Sequence, residues 1–254
     1  MSVDDHELAA RLAQRAGRRL VELREERAST SDPKALGAAG DAAAHELLVA
    51  ELGEHRPDDP VLSEHGVSGP QREPGRRVWI VDPLDGTREY SEAGRADWAV
   101  HVALAEKHDV IAAAVALPAA GLVLGTGEPP KQPAHGIARP RIAVSRSRAP
   151  AFVRDVAEAI GAELVPMGSA GAKITAVVRG EVDAYLHDGG QYEWDSAAPV
   201  AVARAAGLHT SRLDGSGLVY DRADPWLPDL LVCRRELAAE LLDAVSRTRS
   251  EGSR

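Results

Sequence analysis

The stretch VWIVDPLDGTREY, residues 78–90, runs an apolar segment into two aspartates, Asp82 and Asp85, with only Pro83 and Leu84 between them. Two carboxylates about 4 Å apart repel by about 4 kcal/mol at a surface-like dielectric, so the pair asks for a cation. Hard cations such as Mg²⁺ take oxygen ligands and keep several waters, so two or three carboxylates suffice for each ion. Three more acidic residues suit that chemistry: Asp41, Glu64 in LSEHG, and Asp195 in YEWDSAAP. The four aspartates fall where an element starts or stops and Glu64 in a loop, positions from which a rigid scaffold can aim side chains into one cleft. Pro83 fixes the backbone after Asp82 and removes a donor, which helps the Leu84 carbonyl turn toward a cation. Gly86 permits close approach, and Thr87 opens a helix whose N–H groups can hold a phosphate.

Plainer readings stand beside these. Asp41, Asp85 and Asp195 can each be a helix N-cap, and Glu64 can be a solvated loop residue. Capping accounts for one member of the Asp82/Asp85 pair and leaves the other, at the end of an apolar strand, unexplained. The D-x-D-G-T nucleophile motif of haloacid-dehalogenase-type phosphatases is excluded. Its one-residue gap keeps both carboxylates on one strand face, and the two-residue gap here does not.

The elements that must position these residues divide the chain into two rhythms. Residues 4–26 set Leu8, Leu12, Leu20 and Leu23 on one stripe of an amphipathic helix. STSDPKALGAAG reads as a loop, with a second helix starting near Asp41 and carrying Leu47, Leu48 and Leu52. RVWIVD is a short buried strand, and DWAVHVALAEK, DVIAAAVALP and GLVLGTGE continue it as an antiparallel meander. EPPKQPAHGIARP marks a boundary, giving a first part of residues 1–134 and a second of 135–254. In the second part RIAVSRS, ELVPMG, EVDAYLH and DLLVCRR are strands alternating with four helices, an α/β pattern. The expected class is therefore mixed, α+β in the first part and α/β in the second.

At 254 residues with a formal charge of −9, the chain argues against a nucleic-acid polymer or an anionic membrane as partner. A small phosphorylated substrate remains open, because bound divalent cations reverse the local potential. The sequence has no apolar run of bilayer length and opens on an acidic segment unlike a signal peptide, so a cytoplasmic protein without integral membrane association is expected. The lone Cys233 excludes an internal disulfide framework and reads as a small buried hydrophobe.

WIVDPLDGTREY followed by YEWDSAAPVAVARAAG resembles the two signature motifs of the inositol-monophosphatase-like, Mg²⁺-dependent, lithium-sensitive phosphatases. VSRSR (144–148), GSAGAK (168–173) and the glutamate of EWD look most like the CysQ-type 3′(2′),5′-bisphosphate nucleotidases. The resemblance implies a layered α-β-α-β-α sandwich. It also implies two or three Mg²⁺ ions, replaceable by Mn²⁺, on Glu64, Asp82, the Leu84 carbonyl, Asp85 and Asp195. Asp41 and Thr87 would complete the water-activating side, with Glu64 and Thr87 handling the water and Asp41 hydrogen-bonded to Thr87. Gly86, Thr87, Ser145, Arg148, Ser169, Lys173 and Glu193 would contact substrate, although Ser169 reads equally as a cap and Lys173 as a solvated lysine. Lys34 is read as solvated, His65, where the family often has a second glutamate, as of little consequence, and Trp194 as packing.

The implied activity is hydrolysis of the small nucleotide 3′-phosphoadenosine 5′-phosphate in sulfate assimilation, with its sulfated relative as a second candidate substrate, by an enzyme often homodimeric. Inositol 1-phosphate or fructose 1,6-bisphosphate are alternative substrates on the same fold. A non-catalytic, metal-dependent regulatory protein is the alternative of another class.

Overall fold

The computed structural model describes residues 4–27, 32–133, 136–147 and 149–252. Helix α1 (Asp5–Glu26) is capped by Asp4, whose carboxylate accepts the Glu7 N–H, and buries Leu8, Leu12, Leu20 and Leu23, the stripe read from sequence. Helix α2 (Pro33–His55) begins eight residues before the expected start, so the presumed loop 33–40 is helical. Asp32 explains the early start, since its carboxylate accepts from the Lys34 and Ala35 N–H groups and Pro33 fills the first turn, where no donor is needed. Gly37 and Gly40, which read as breakers, are contact residues instead. A Cβ on Gly37 would lie 2.7 Å from Ser91 Oγ, and one on Gly40 2.6 Å from Tyr90 Cε1.

A short hairpin, β1 (Val61–Ser63) and β2 (Gly66–Ser68), was not foreseen. Strand β3 (Val78–Asp85) then runs through both aspartates, with a register irregularity between Asp82 and Asp85 that accommodates Pro83. Helix α3 (Thr87–Ser91) follows, then β4 (Ala99–Glu106), β5 (Asp109–Leu117) and β6 (Leu122–Gly125). These six strands form one sheet in the order β2-β1-β3-β4-β5-β6, antiparallel except where β1 lies parallel to β3.

The second part supplies β7 (Arg141–Ser145), α4 (Ala151–Ala159), β8 (Glu163–Met167), α5 (Ala170–Val178) and β9 (Ala184–His187). It continues with β10 (Gln191–Tyr192), α6 (Glu193–Ala205), β11 (His209–Ser211), β12 (Trp226–Leu227), β13 (Leu230–Cys233) and α7 (Ala238–Gly252). The second sheet has the order β11-β13-β9-β7-β8, with β7 parallel to both its neighbours and the other pairings antiparallel. Strands β10 and β12 form a separate two-stranded ladder.

Alternation along the strands decides the layering. Trp79, Val81, Val100, Val102 and Leu104 bury one face of the first sheet against α1 and α2. Val78, Ile80, Ala99, Ala103 and Val115 face the other way, into a core shared with α5, α6 and the second sheet. Helices α4 and α7 cover the far side of that sheet, where Cys233 is fully buried. The result is the layered α-β-α-β-α arrangement expected. The expected boundary at 134/135 lies outside the described residues. On either side of it the sheets are separate but the middle core is common to both.

Candidate active site

The carboxylates converge in two neighbouring groups, Asp82 with Asp85 and Asp195, and Asp41 with Glu64 and His65. In each group the potential ligand atoms lie within 4.8 Å of one another. Strand β3 carries Asp82 and Asp85, the first turn of α6 carries Asp195, and α2 carries Asp41 in its interior, so Asp41 is not a cap. Glu64 and His65 occupy the tip of the β1–β2 hairpin.

Asp85 is held by the N-terminus of α5. Its carboxylate accepts from the Ser169 hydroxyl, from Ala170 N–H at 3.2 Å and from Gly171 N–H at 2.6 Å. His101 Nε2 lies 3.3 Å away, an ionic contact short of hydrogen-bond alignment. Burial works to raise the Asp85 pKa, but His101, Ser169 and the Gly171 N–H outweigh it and bring it down to about 2. Asp82 is the opposite case. Burial first, then the charges of Asp85, Asp195 and Glu64, raise its pKa well above the ordinary carboxylate value. Leu84 N–H, at 3.1 Å from its Oδ1, offsets only part of this. Asp195 accepts the Tyr192 N–H at 2.6 Å, yet burial and the Asp85 charge lift its pKa to about 7.

This unbalanced charge is the test of whether a divalent cation fits, and it fits. Three carboxylates share one buried place, two of them titrate high, and the donors there are oxygens, the ligands that Mg²⁺ prefers. Asp41 adds a buried Oδ1 without a hydrogen-bond partner. The Glu64 pKa is raised as well, by removal from water and then by the charge of Asp41, whose carboxylate lies within 4.8 Å.

Two expected details differ. The Thr87 hydroxyl donates to the Leu84 carbonyl at 3.1 Å rather than to Asp41, because α3 turns back over the end of β3. Asp41 is engaged instead by His65 Nε2 at 2.8 Å, so His65, read as of little consequence, holds a site carboxylate. His65 also packs on the ring of His45 at 4.2 Å.

The substrate-side expectations divide. Gly86, at φ +88, caps α3 and lets its chain reverse beside Ser169 and Trp98. Ser145 ends β7 and lines a cleft of about 500 Å³ with Ser147, Tyr185, His187 and Asp188. Arg148 lies outside the described residues. Ser169 is both cap and clamp, since its hydroxyl donates to Asp85 and accepts the Ala172 N–H at 2.9 Å. Neither the solvated nor the phosphate-contacting reading of Lys173 describes its position. It is buried, donates to the Ser169 carbonyl at 2.7 Å, and lies 5.2 Å from the Tyr185 ring centre, with its pKa lowered by burial. Glu193 is corrected from substrate contact to anchor. It is 0% exposed, and its two oxygens accept the N–H groups of Asp221 at 2.8 Å and Arg222 at 2.9 Å. Lys34 is exposed, as read, and Trp194 packs with its ring stacked on Tyr192.

Two further contributors are not among the residues singled out from the sequence, although Arg146 lies within VSRSR. Arg146 Nε and Nη2 donate to Glu89 and Glu92, both at 2.6 Å, clamping α3 to the end of β7. Asp97 accepts the Gly168 N–H at 2.5 Å, fixing the turn before α5. Each is one charged residue among many in the sequence, and only the fold selects it.

Residues 4–249 match the model of the Inositol monophosphatase family. The chain is 49% identical over 253 residues to 3′-phosphoadenosine 5′-phosphate phosphatase of Mycobacterium leprae, covering 95% of this chain and 93% of that protein. It is 32% identical over 200 residues to the 3′(2′),5′-bisphosphate nucleotidase CysQ of Escherichia coli K12, covering 74% and 81%. The solved IMPase of Thermotoga maritima shares the fold, with a TM-score of 0.77, 20% identity and coverage of 98% and 99%. With signature carboxylates gathered as described and a family match along nearly its whole length, the chain belongs to the inositol monophosphatase family.

Proposed function

We propose that this protein is a divalent-cation-dependent phosphatase that removes the 3′-phosphate of 3′-phosphoadenosine 5′-phosphate, giving AMP and phosphate. The observation that carries the reading is the convergence of Asp82, Asp85 and Asp195 on one buried place, with Asp41 and Glu64 beside it. The half-identical Mycobacterium leprae relative, which bears that substrate in its name, supports the choice of nucleotide over sugar ester.

Mg²⁺, in two or three copies and replaceable by Mn²⁺, would be held by Asp82, Asp85, Asp195, Glu64 and the Leu84 carbonyl. Bound there, it supplies neutralisation of the ester dianion and a lower pKa for a nearby water. The residues do the rest. Glu64, whose proton affinity is raised, accepts a proton from the attacking water while Asp41 and His65 hold it in place. The Thr87 hydroxyl, fixed by the Leu84 carbonyl, orients that water. The Gly86 and Thr87 amides face the phosphoryl oxygens, and the cleft bounded by Ser145, Tyr185 and Asp188 takes the nucleoside. The reading is completed by a cytoplasmic homodimer clearing this by-product of sulfate assimilation, with 3′-phosphoadenylyl sulfate as a second substrate.

Phosphate release from 3′-phosphoadenosine 5′-phosphate, inositol 1-phosphate and fructose 1,6-bisphosphate, with Mg²⁺, tests this. The nucleotide is expected to give the highest kcat/KM. An equal or higher value for inositol 1-phosphate overturns the substrate assignment, and release from none of the three overturns the catalytic one.

A further inference from the structure

Strand β4 is apolar almost throughout, yet its middle carries a fully buried histidine, His101, directly across from Asp82 in the β3–β4 register. Burying an imidazole costs free energy that an alanine or valine there would not, so the ring must be held by what it touches. Its Nδ1 lies 3.0 Å from the Trp194 carbonyl, the residue immediately before Asp195. Its Nε2 lies 3.3 Å from Asp85 Oδ2. A Cβ on Gly171 would sit 2.0 Å from that same Nε2, so the ring is wedged against the first turn of α5. One rigid side chain thus touches the ends of three elements, β3, α5 and α6, two of which carry site carboxylates.

Asp82, Asp85 and Asp195 repel one another, and each tends to swing away from the shared place. The α5 N-terminus restrains Asp85, and the Tyr192 N–H restrains Asp195, but each of these grips acts on one carboxylate alone. His101 spans the gap between them. We infer that His101 is a positioning residue, a strut that fixes the separation of Asp85 and Asp195 so that both face one cation. The inference rests on the proposed reading of those aspartates as cation ligands. His101 does not itself touch the substrate or the reacting atoms. Groups that orient metal ligands in this way are worth about 10- to 100-fold in metal affinity.

The test is calorimetric titration of Mn²⁺ into the full-length protein without substrate, paired with melting of the metal-free protein. Three variants divide the role. His101→Leu fills similar space without polar contacts, and is expected to bind Mn²⁺ about 10- to 100-fold more weakly. His101→Asn keeps a donor toward the Trp194 carbonyl but falls short of Asp85. His101→Gln carries its amide N–H out to the Nε2 position, and is expected to recover most of the affinity that His101→Leu loses. A folded His101→Leu protein that binds Mn²⁺ like the wild type overturns the inference, as does a His101→Gln protein no better than His101→Leu. Should His101→Leu not fold, the remaining pair decides. His101→Gln is expected to bind more tightly than His101→Asn, and the reverse order, or equality, overturns the inference. Wild-type protein that binds no Mn²⁺ overturns the site reading, and this inference with it. Wild-type binding with an indifferent His101→Leu overturns this inference alone.

Discussion

The Asp85 carboxylate accepts the Gly171 backbone N–H at 2.6 Å, joining the end of β3 to the start of α5. A residue that the sequence marks as a cation ligand is therefore also a cap, though of a distant helix and not of the one that follows it. The capping and ligand readings of Asp85 do not compete. Helix N–H groups favour the ionised, aimed carboxylate, and its charge in turn raises the proton affinity of Asp82 and Asp195.

Asp82 offers the cleanest separation of activity from stability. Its raised pKa means that burial and its neighbours disfavour its charge. Asp82→Asn is expected to lower phosphate release at saturating nucleotide by more than the about 10- to 100-fold that groups merely behind metal ligands are worth. The metal-free variant is expected to melt no lower than the wild type. Thermal melts in chelator beside a phosphate-release assay check both halves.

The pH dependence of the metal-free protein follows from Asp195. Burial and the Asp85 charge raise its pKa to about 7, above its ordinary value of 3.8, so across that interval the folded state holds the proton that the unfolded state has lost. Stability contributed this way is present at low pH and declines as pH rises through about 7. In chelator the wild type is expected to lose more stability between pH 6 and pH 8 than Asp195→Asn does. Mg²⁺ is expected to stabilise the wild type more at pH 8 than at pH 6. Calorimetric melts of both proteins measure this, and equal slopes for the two would contradict it.

Gly40 tests the fit of α2 against α3. A Cβ there would meet the Tyr90 ring at 2.6 Å, and Tyr90 is fully buried with its hydroxyl donating to the Leu20 carbonyl at 2.9 Å. Gly40→Ala gains helix propensity but must displace that ring, at a net cost of about 1–3 kcal/mol. Denaturant unfolding is expected to show the loss.

Glu193 distinguishes an anchor from a substrate contact. Glu193→Gln replaces one acceptor of a buried pair of backbone N–H groups, and is expected to cost about 1–3 kcal/mol of stability. KM for the nucleotide is expected to stay within about twofold of the wild type. Urea unfolding and steady-state kinetics on one preparation measure both, and an unchanged stability with a raised KM would restore the substrate role.

The carboxylates are legible because Asp82 and Asp85 end an apolar strand, a local mark, whereas the layering is implied by the family resemblance and by no single segment. Trp79 and Val81 fall on one face of the first sheet and Val78 and Ile80 on the other, but all four are apolar, so the sequence marks a buried strand and the two cores on either side assign the faces. Gly37 and Gly40 misled for a physical reason, since glycine signals a break and close packing alike, and only the partner surface of Thr87, Ser91 and Tyr90 tells them apart. Lys173 and Glu193 look exposed by residue type, yet both are buried, one on the carbonyls before α5 and the other on the 221–222 turn. His65 and His101 carry no spacing signal, because their partners Asp41, Asp85 and Trp194 come from other segments of the chain.

The most direct measurement is the anomalous scattering of Mn²⁺ in crystals of this protein. The account predicts density among Asp82, Asp85 and Asp195, with carboxylate oxygens at about 2.0–2.6 Å, and loss of that density in Asp82→Asn. Ordered, unblocked carboxylates with no anomalous density between them at saturating Mn²⁺ would contradict it.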